Sequence, residues 1–474
     1  MDENAFKSVH FIGIGGVGMS GIARVAHDQG MIVTGSDMKE SRYTKQLREA
    51  GIDVAIGPHK ASNIPGANDD ENAPDVVVVT TAVLDNNPEL IAAKERGLNI
   101  WHRAQMLARL GVGLDTVAVA GTHGKTTTSS MVASALDRMG IDPTFLIGGI
   151  VRTYGSNAHS GTSRYYVVEA DESDKSFRHL SPAAVLVTNI EADHLDHYRD
   201  LDEIREKFGA FIASTPAEGP VIVCGEDESL VEVAQKTGHD FMTYGFGENC
   251  DIQIVSYEPH GIGSDFAVRL PDGRIVESCV PQNPGRHNVL NAAGALGLID
   301  ALGESAEEAA EAMRSFGGVK RRFDLVGKAR GITVVDDYAH HPTEIAATLA
   351  AASQLGYKNV HALFQPHRYS RTSLFCNVLH DEFGAAFDEA DTVTFMDVFS
   401  AGETPIPGIT GKTFVQIVLD HEGHPPVHYV PRRMDVIEHM LHLVKEGDLV
   451  ITMGAGDVTA MGSQLVAAIE EQAR

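Results

Sequence analysis

Apolar residues along this chain gather in short dense runs, and between the runs they recur at helical spacing, an alternation that continues to the C-terminus. Residues 9–14 form such a run and lead into glycines. From Met19 to Gln29 the spacing becomes helical, so a strand, a turn and a helix are predicted in that order. Residues 32–37 and 75–83 are the next strands. The second is apolar at nearly every position, the pattern of a parallel strand covered on both faces. The stretch between them, rich in Asn, Asp, Pro and Gly, reads as a surface loop.

The pattern restarts near Asp115, with strands at 165–171, 183–190 and 219–225, and a polar, β-leaning stretch at 251–280. A helix around residues 288–302 and a turn at 316–324 precede a third series, with strands at 331–339, 359–366, 391–398 and 448–456. A chain of 474 residues exceeds what one hydrophobic core supports. The expected architecture is therefore α/β in three domains. Residues 1–114 form a Rossmann-like domain, 115–321 a central P-loop ATPase-like domain and 322–474 a C-terminal Rossmann-like domain.

Charge narrows the partners. With 38 Lys plus Arg against 65 Asp plus Glu, the net charge of −27 argues against nucleic acid and anionic membrane surfaces as partners. An acidic protein that binds nucleotides must set local cations, oriented N–H groups or a metal against its own field. The cysteines, Cys224, Cys250, Cys279 and Cys376, are scattered and read as reduced thiols of the cytosol. A leader and an apolar stretch of about 18 residues are both missing, so a cytoplasmic protein without membrane insertion is expected.

Two glycine-rich turns carry the chemistry. Gly13, Gly15, Gly16 and Gly18 form a G-x-G-x-x-G between strand and helix, and Asp37 ends the next strand. Such a turn lets a pyrophosphate approach backbone N–H groups at a helix N-terminus, and it fits NAD as well as a UDP-sugar. The second turn, Gly121-Thr122-His123-Gly124-Lys125-Thr126-Thr127, also joins a strand to a helix. Lys125 and backbone N–H groups would hold the β and γ phosphates, and the Thr126 hydroxyl would ligate Mg²⁺. Val119 stands where the usual phosphate-loop pattern has its first glycine. Glu169 and His194 follow neighbouring strands and are candidate metal ligands at the same sheet edge. Arg368 and Arg371, after a later strand, can clamp a carboxylate beside the His-rich loop Asp336–Pro342.

Taken with HFIGIGGVGMSGIA, GTHGKTTT, EADESD, TNIEADHLDHY, HNVLNAAGA, GVKRRFDLVG, DDYAHHPTEI, QPHRYSRT and MGAGD, these residues resemble the Mur ligase family over nearly the whole chain. The resemblance implies ATP-dependent joining of L-alanine to the carboxylate of UDP-N-acetylmuramate, through an acyl phosphate, in peptidoglycan precursor synthesis. It implies that the first turn, with Ser36, Asp37 and Arg103, binds the UDP part. Lys125 then binds ATP phosphates, while Thr126, Glu169 and His194 hold Mg²⁺. Asn288 and Asn291 face adenine, and Arg322 and Asp337 the ATP ribose and phosphates. His341, His367, Arg368 and Arg371, with Tyr338, surround the amino acid. Lys125, His194, His341, Arg368 and Arg371 are the expected catalytic set, in a monomer or weak homodimer. The proton acceptor stays open between His341 and Asp337.

Three rivals frame the tests. A family member that attaches recycled murein tripeptide to the same nucleotide sugar is nearest. A dehydrogenase would use the first turn and Asp37 but leave Lys125 and the third domain unexplained, and a nucleotide sensor would have no need of Arg368 and Arg371.

Overall fold

The computed structural model describes residues 6–66, 72–173, 176–193 and 198–471. It is an α/β protein, and the chain packs as two compact units. Residues 1–191, 202–252 and 294–312 make the first; residues 192–201, 253–293 and 313–474 make the second.

In the first unit, five parallel strands lie in the order Asp53–Ile56, Ile32–Asp37, Ser8–Ile12, Val76–Val79, Asn99–His102. The order reverses at Ser8–Ile12, so the glycine turn that follows this strand opens at the edge where ligands of doubly wound sheets collect. The helix after the turn, Val17–Asp28, buries Met19, Ile22, Ala23, Val25 and Ala26, one apolar stripe of the helical period.

A second sheet of this unit runs Met242–Gly245, Val221–Cys224, Ala184–Val187, Asp115–Ala120, Tyr165–Glu169, Thr144–Val151, Ser156–His159. Its strands are parallel except the last, which returns antiparallel on Thr144–Val151. Asp115–Ala120, Tyr165–Glu169 and Ala184–Val187 are adjacent and point the same way. Their C-terminal ends therefore bring Gly121, Glu169 and Thr188 to one edge.

In the second unit, the polar stretch becomes an antiparallel meander of Ile252–His260, Gly263–Arg269 and Ile275–Val280. A six-stranded sheet follows, in the order Asp324–Ala329, Ile332–Asp337, Leu449–Met453, Val360–Phe364, Thr392–Phe395, Val427–Tyr429. One face packs around Phe364, whose ring meets Phe383, Phe387, Phe395 and Phe414 edge to face at 5.5–6.1 Å. Asp337 and Phe364 end the two strands that flank Leu449–Met453 in the parallel part, which puts the loops after them on one edge.

Among the described residues no helix is long and apolar enough to cross a membrane. All four cysteines are free thiols.

Candidate functional site

The first glycine turn is shaped by the strand beside it. The amides of Gly13 and Ile14 both donate to the Ser36 carbonyl at 2.9 Å, and the Gly15 amide donates to Asp37 Oδ2 at 2.8 Å. The Asp37 carboxylate thus grips the turn itself. A Cβ on Gly15 would fall 2.8 Å from the same oxygen, so only glycine lets Asp37 sit there. The Arg103 guanidinium lies 3.7 Å from where a Gly18 Cβ would be, over the start of the helix.

Ser36 is fully buried, and its hydroxyl donates to Glu89 Oε2 at 2.6 Å; it supports the turn from behind instead of lining it. Glu89 is buried as well. It also meets Asn63 Nδ2 at 2.5 Å, His59 Nδ1 at 3.0 Å and His10 Nε2 at 3.5 Å. Burial alone would raise the Glu89 carboxyl, but hydrogen bonds from His10, Ser36, Asn63 and His59 outweigh it and draw the pKa from 4.5 down to about 2. A depressed carboxylate stabilises the fold fully above its unfolded pKa and loses that contribution as pH falls towards the folded one. Glu89→Gln is therefore expected to cost about 2–3 kcal/mol at pH 7, as for a buried charged hydrogen-bonding group. Thermal melts should show the gap to wild type narrowing between pH 4.5 and pH 2. A gap that does not change with pH would refute the charge argument.

The second turn is pinned from the neighbouring strand end. Thr122 and His123 direct their amides to Asn189, to its carbonyl at 3.0 Å and its Oδ1 at 2.8 Å. The Thr188 hydroxyl donates to the His123 carbonyl, and the Glu191 amide to Thr122 Oγ1 at 2.8 Å. Gly124 takes the left-handed conformation (φ +83°) and starts the helix Lys125–Arg138. A glycine has no side chain to cap that N-terminus, and the Thr122 and His123 amides are turned to Asn189. The donors left open to an anion at this turn are thus the amides of the first helical turn, with Lys125 beside them.

Lys125 Nζ donates to the carbonyls of Gly121 and Thr122 at 2.5 and 3.1 Å and to Glu172 Oε1 at 2.9 Å. Burial would lower its pKa, but the charges of Glu172, Glu169 and Asp171 outweigh this and raise it, so the ammonium stays charged. Thr126 Oγ1 lies 3.0 and 3.1 Å from the two Glu169 oxygens, and Gly148 N donates to Glu169 Oε2 at 2.7 Å. The structure therefore brings Thr126 and Glu169 together. His194 lies outside the described residues.

Two acidic residues of EADESD escaped the sequence reading. Arg103 Nη2 donates to Asp171 Oδ2 at 2.8 Å, and Glu172 holds Lys125. Burial pushes Asp171 up, yet Arg103 and Lys125 hold it well below the usual carboxylate range. Asp171 thus lies between the cation of the first turn and that of the second. The acidic run after Glu169 was the available signal.

In the second unit, Asn288 and Asn291 share a face of the helix Arg286–Ala301, three residues apart. Asn288 donates to the Pro284 carbonyl at 2.8 Å. Asp337 is buried and accepts the amides of Phe323 and Ala339 at 2.7 and 2.8 Å. Burial pushes its pKa up to about 6, against the pull of Arg322. Its carboxylate shapes the turn that carries Arg322. In that turn Arg321 and Phe323 both adopt positive φ, +62° and +50°. Arg321 and Arg322 lie over the Tyr338 ring, 4.9 and 5.4 Å from its centre.

His341 is nearly fully buried, caps the helix Pro342–Ser353 by accepting the Thr343 amide, and stands edge-on to Phe375. His367 stacks on Phe399 at 5.7 Å. Burial, with the charges of His340, Arg371 and Arg368, lowers the His367 pKa to about 4, so it is neutral at pH 7. Arg368 is exposed at φ +63°, at the start of the helix Tyr369–Val378, and Arg371 one turn on lies 3.7 Å from Asp193. Glu403 ties this corner down by accepting from the Ser370 amide and hydroxyl at 3.0 and 2.6 Å. It is a third residue the sequence reading missed.

Three family models match in series: "Mur ligase family, catalytic domain" over residues 8–112, "Mur ligase middle domain" over 119–299, and "Mur ligase, glutamate ligase domain" over 321–456. The UDP-N-acetylmuramate–L-alanine ligase of Syntrophotalea carbinolica is 44% identical over 98% of this chain and 99% of its own. Among solved structures, the UDP-N-acetylmuramate–alanine ligase of Thermotoga maritima superposes with a TM-score of 0.80 at 29% identity, covering 98% of this chain and 99% of its own. A murein peptide ligase of Psychrobacter arcticus gives 0.70 at 26% identity, covering 98% of each chain. On these matches, and with both glycine turns in place, the chain belongs to the Mur ligase family.

Proposed function

We propose that this protein joins the amine of L-alanine to the carboxylate of UDP-N-acetylmuramate, converting ATP to ADP and phosphate, in the cytoplasm. The observation that carries the reading is Lys125, a buried ammonium at a helix N-terminus beside Thr126 and Glu169. The specific substrates come from relatives of 42–44% identity over nearly the whole chain, which are named for this ligation. The family models support dividing the chain near residues 114 and 321.

A carboxylate resists attack by an amine because oxide is its leaving group. Transfer of the γ-phosphoryl group to a carboxylate oxygen breaks the bond to ADP and makes an acyl phosphate. The amine then attacks the carbonyl carbon, loses a proton, and expels phosphate. Both partners in the first step are anionic, so positive charge must offset their repulsion while they are held in line. Lys125 supplies one such charge. Thr126 and Glu169 offer oxygen donors, the type Mg²⁺ prefers, and would hold that ion. When bound, it adds charge at the phosphates. Beside the first turn Arg103 meets the pyrophosphate of the nucleotide sugar, and Arg368 and Arg371 meet the carboxylate of L-alanine.

The deciding assay is phosphate release from ATP and Mg²⁺ with UDP-N-acetylmuramate and, separately, L-alanine, glycine, L-serine or murein tripeptide. Release that requires L-alanine is the expected result. Release only with tripeptide would move the protein to the recycling reaction, and none with any acceptor would sink the ligase reading.

A further inference from the structure

The Lys125 ammonium has three N–H bonds, and each has an acceptor: the Gly121 carbonyl, the Thr122 carbonyl and the Glu172 carboxylate, 2.9 Å away at Oε1 and 2.8 Å at Oε2. The Lys125 and Glu172 side chains are only 11% and 3% exposed. A phosphate oxygen therefore gains this cation only when one of the three lets go. The two carbonyls belong to a loop held by Thr188 and Asn189 and cannot retreat without unfolding it. Glu172 is the side chain that can yield.

We propose that Glu172 is a positioning residue that holds Lys125 in place and competes with the ATP phosphates for it, so that Glu172 sets the affinity for nucleotide. The proposal rests on the ATP reading of this loop. Its physical basis is that a carboxylate and a phosphate oxygen are the same kind of acceptor, each favouring a charge-assisted bond to one ammonium. Glu172 has the advantage of being tethered, and nucleotide binding must overcome it.

The surroundings make Glu172 fit to yield. The charged groups around it include Lys125 on the helix, Asp171 beside it and Glu169 at the strand end, with Arg103 drawn to Asp171. The Lys125 charge favours its ionised form, whereas the Asp171 charge opposes it. Burial pushes the Glu172 pKa up to about 7 even with Lys125 in contact. The carboxylate is thus less favoured as an anion than Asp171, which its cations hold well below the usual range.

The test is titration calorimetry of the full-length protein with a non-hydrolysable ATP analogue and Mg²⁺, comparing wild type with Glu172→Gln and Glu172→Asp. Gln keeps the shape but removes the charge; Asp keeps the charge but draws it back by one methylene. The analogue is expected to bind about tenfold more tightly to Glu172→Gln, equivalent to about 1.4 kcal/mol, and two- to threefold more tightly to Glu172→Asp. The KM for ATP should fall in the same order, with no matching rise in kcat. A residue with a merely structural role would lose affinity on substitution, not gain it. Unchanged or weaker binding by the variants, with circular dichroism showing them folded, overturns the proposal. If Glu172→Gln does not fold, Glu172→Asp decides alone by the same criterion. Failure of the wild type to bind the analogue would instead overturn the ATP reading.

Discussion

Lys125→Ala is expected to reduce L-alanine-dependent phosphate release by about 10²–10³, comparable to removing one preorganised charge-stabilising donor from an active site. Burial is what makes this charge effective. An ammonium that is 11% exposed has little water around it, so its field acts on a phosphate with little screening. The loss should appear in kcat, because the charge that Lys125 offsets grows as the carboxylate closes on the γ-phosphoryl group. Lys125→Arg is not expected to restore the rate. The planar guanidinium is larger and cannot meet the Gly121 and Thr122 carbonyls with the same compact geometry. Folding should survive. Without its cation, Glu172, already pushed up to about 7 by burial, takes a proton and leaves no unpaired buried anion. A variant that keeps more than a tenth of the wild-type rate would remove Lys125 from the chemistry.

The sheets were legible where both faces are covered, because Val76–Val79 and Ala184–Val187 are continuous apolar runs that admit no other reading. The run at 75–83 was read too long. Thr80 turns the chain, accepting the Ala82 amide on its hydroxyl and the Val83 amide on its carbonyl, so pairing stops at Val79. Ser156–His159 went unread because SNAH has neither an apolar run nor alternation; it is an edge strand, specified by its partner.

The same division holds in the site. The glycine turns and Lys125 announce themselves because phosphate binding needs those residues at close spacing along the chain. Glu172 and Glu89 do not. Their roles depend on Lys125, 47 residues away, and Ser36, 53 residues away, and only the folded sheets bring those partners together. Sequence could mark an acidic run after Glu169, but not which carboxylate would face which cation.

Gly121→Ala carries the second large effect, through the backbone. Gly121 sits at φ +132°, where a side chain is strained, and a Cβ there would fall 2.0 Å from Thr188 Oγ1 and 3.0 Å from Thr188 N. Thr188 is buried and has no room to withdraw, since its hydroxyl is bonded to the His123 carbonyl and it lies in the loop's own support. The loop must move, and the Gly121 carbonyl that holds Lys125 moves with it. The variant is expected to lose about 2–4 kcal/mol of stability, as for severe overpacking combined with backbone strain. Binding of the ATP analogue should fall by about 10², because the displaced loop no longer presents Lys125 at the helix N-terminus. Gly140→Ala is the control. It too has positive φ, +80°, but nothing lies within 4 Å of its Cβ position, so only the strain of about 1 kcal/mol remains and ATP binding is unaffected. Adding Thr188→Ala to Gly121→Ala removes the nearest clashing atom, so the double variant should be more stable than the sum of the single effects predicts. Strict additivity in the melting experiments would show that the two residues do not clash, and would return the cost of Gly121→Ala to φ alone.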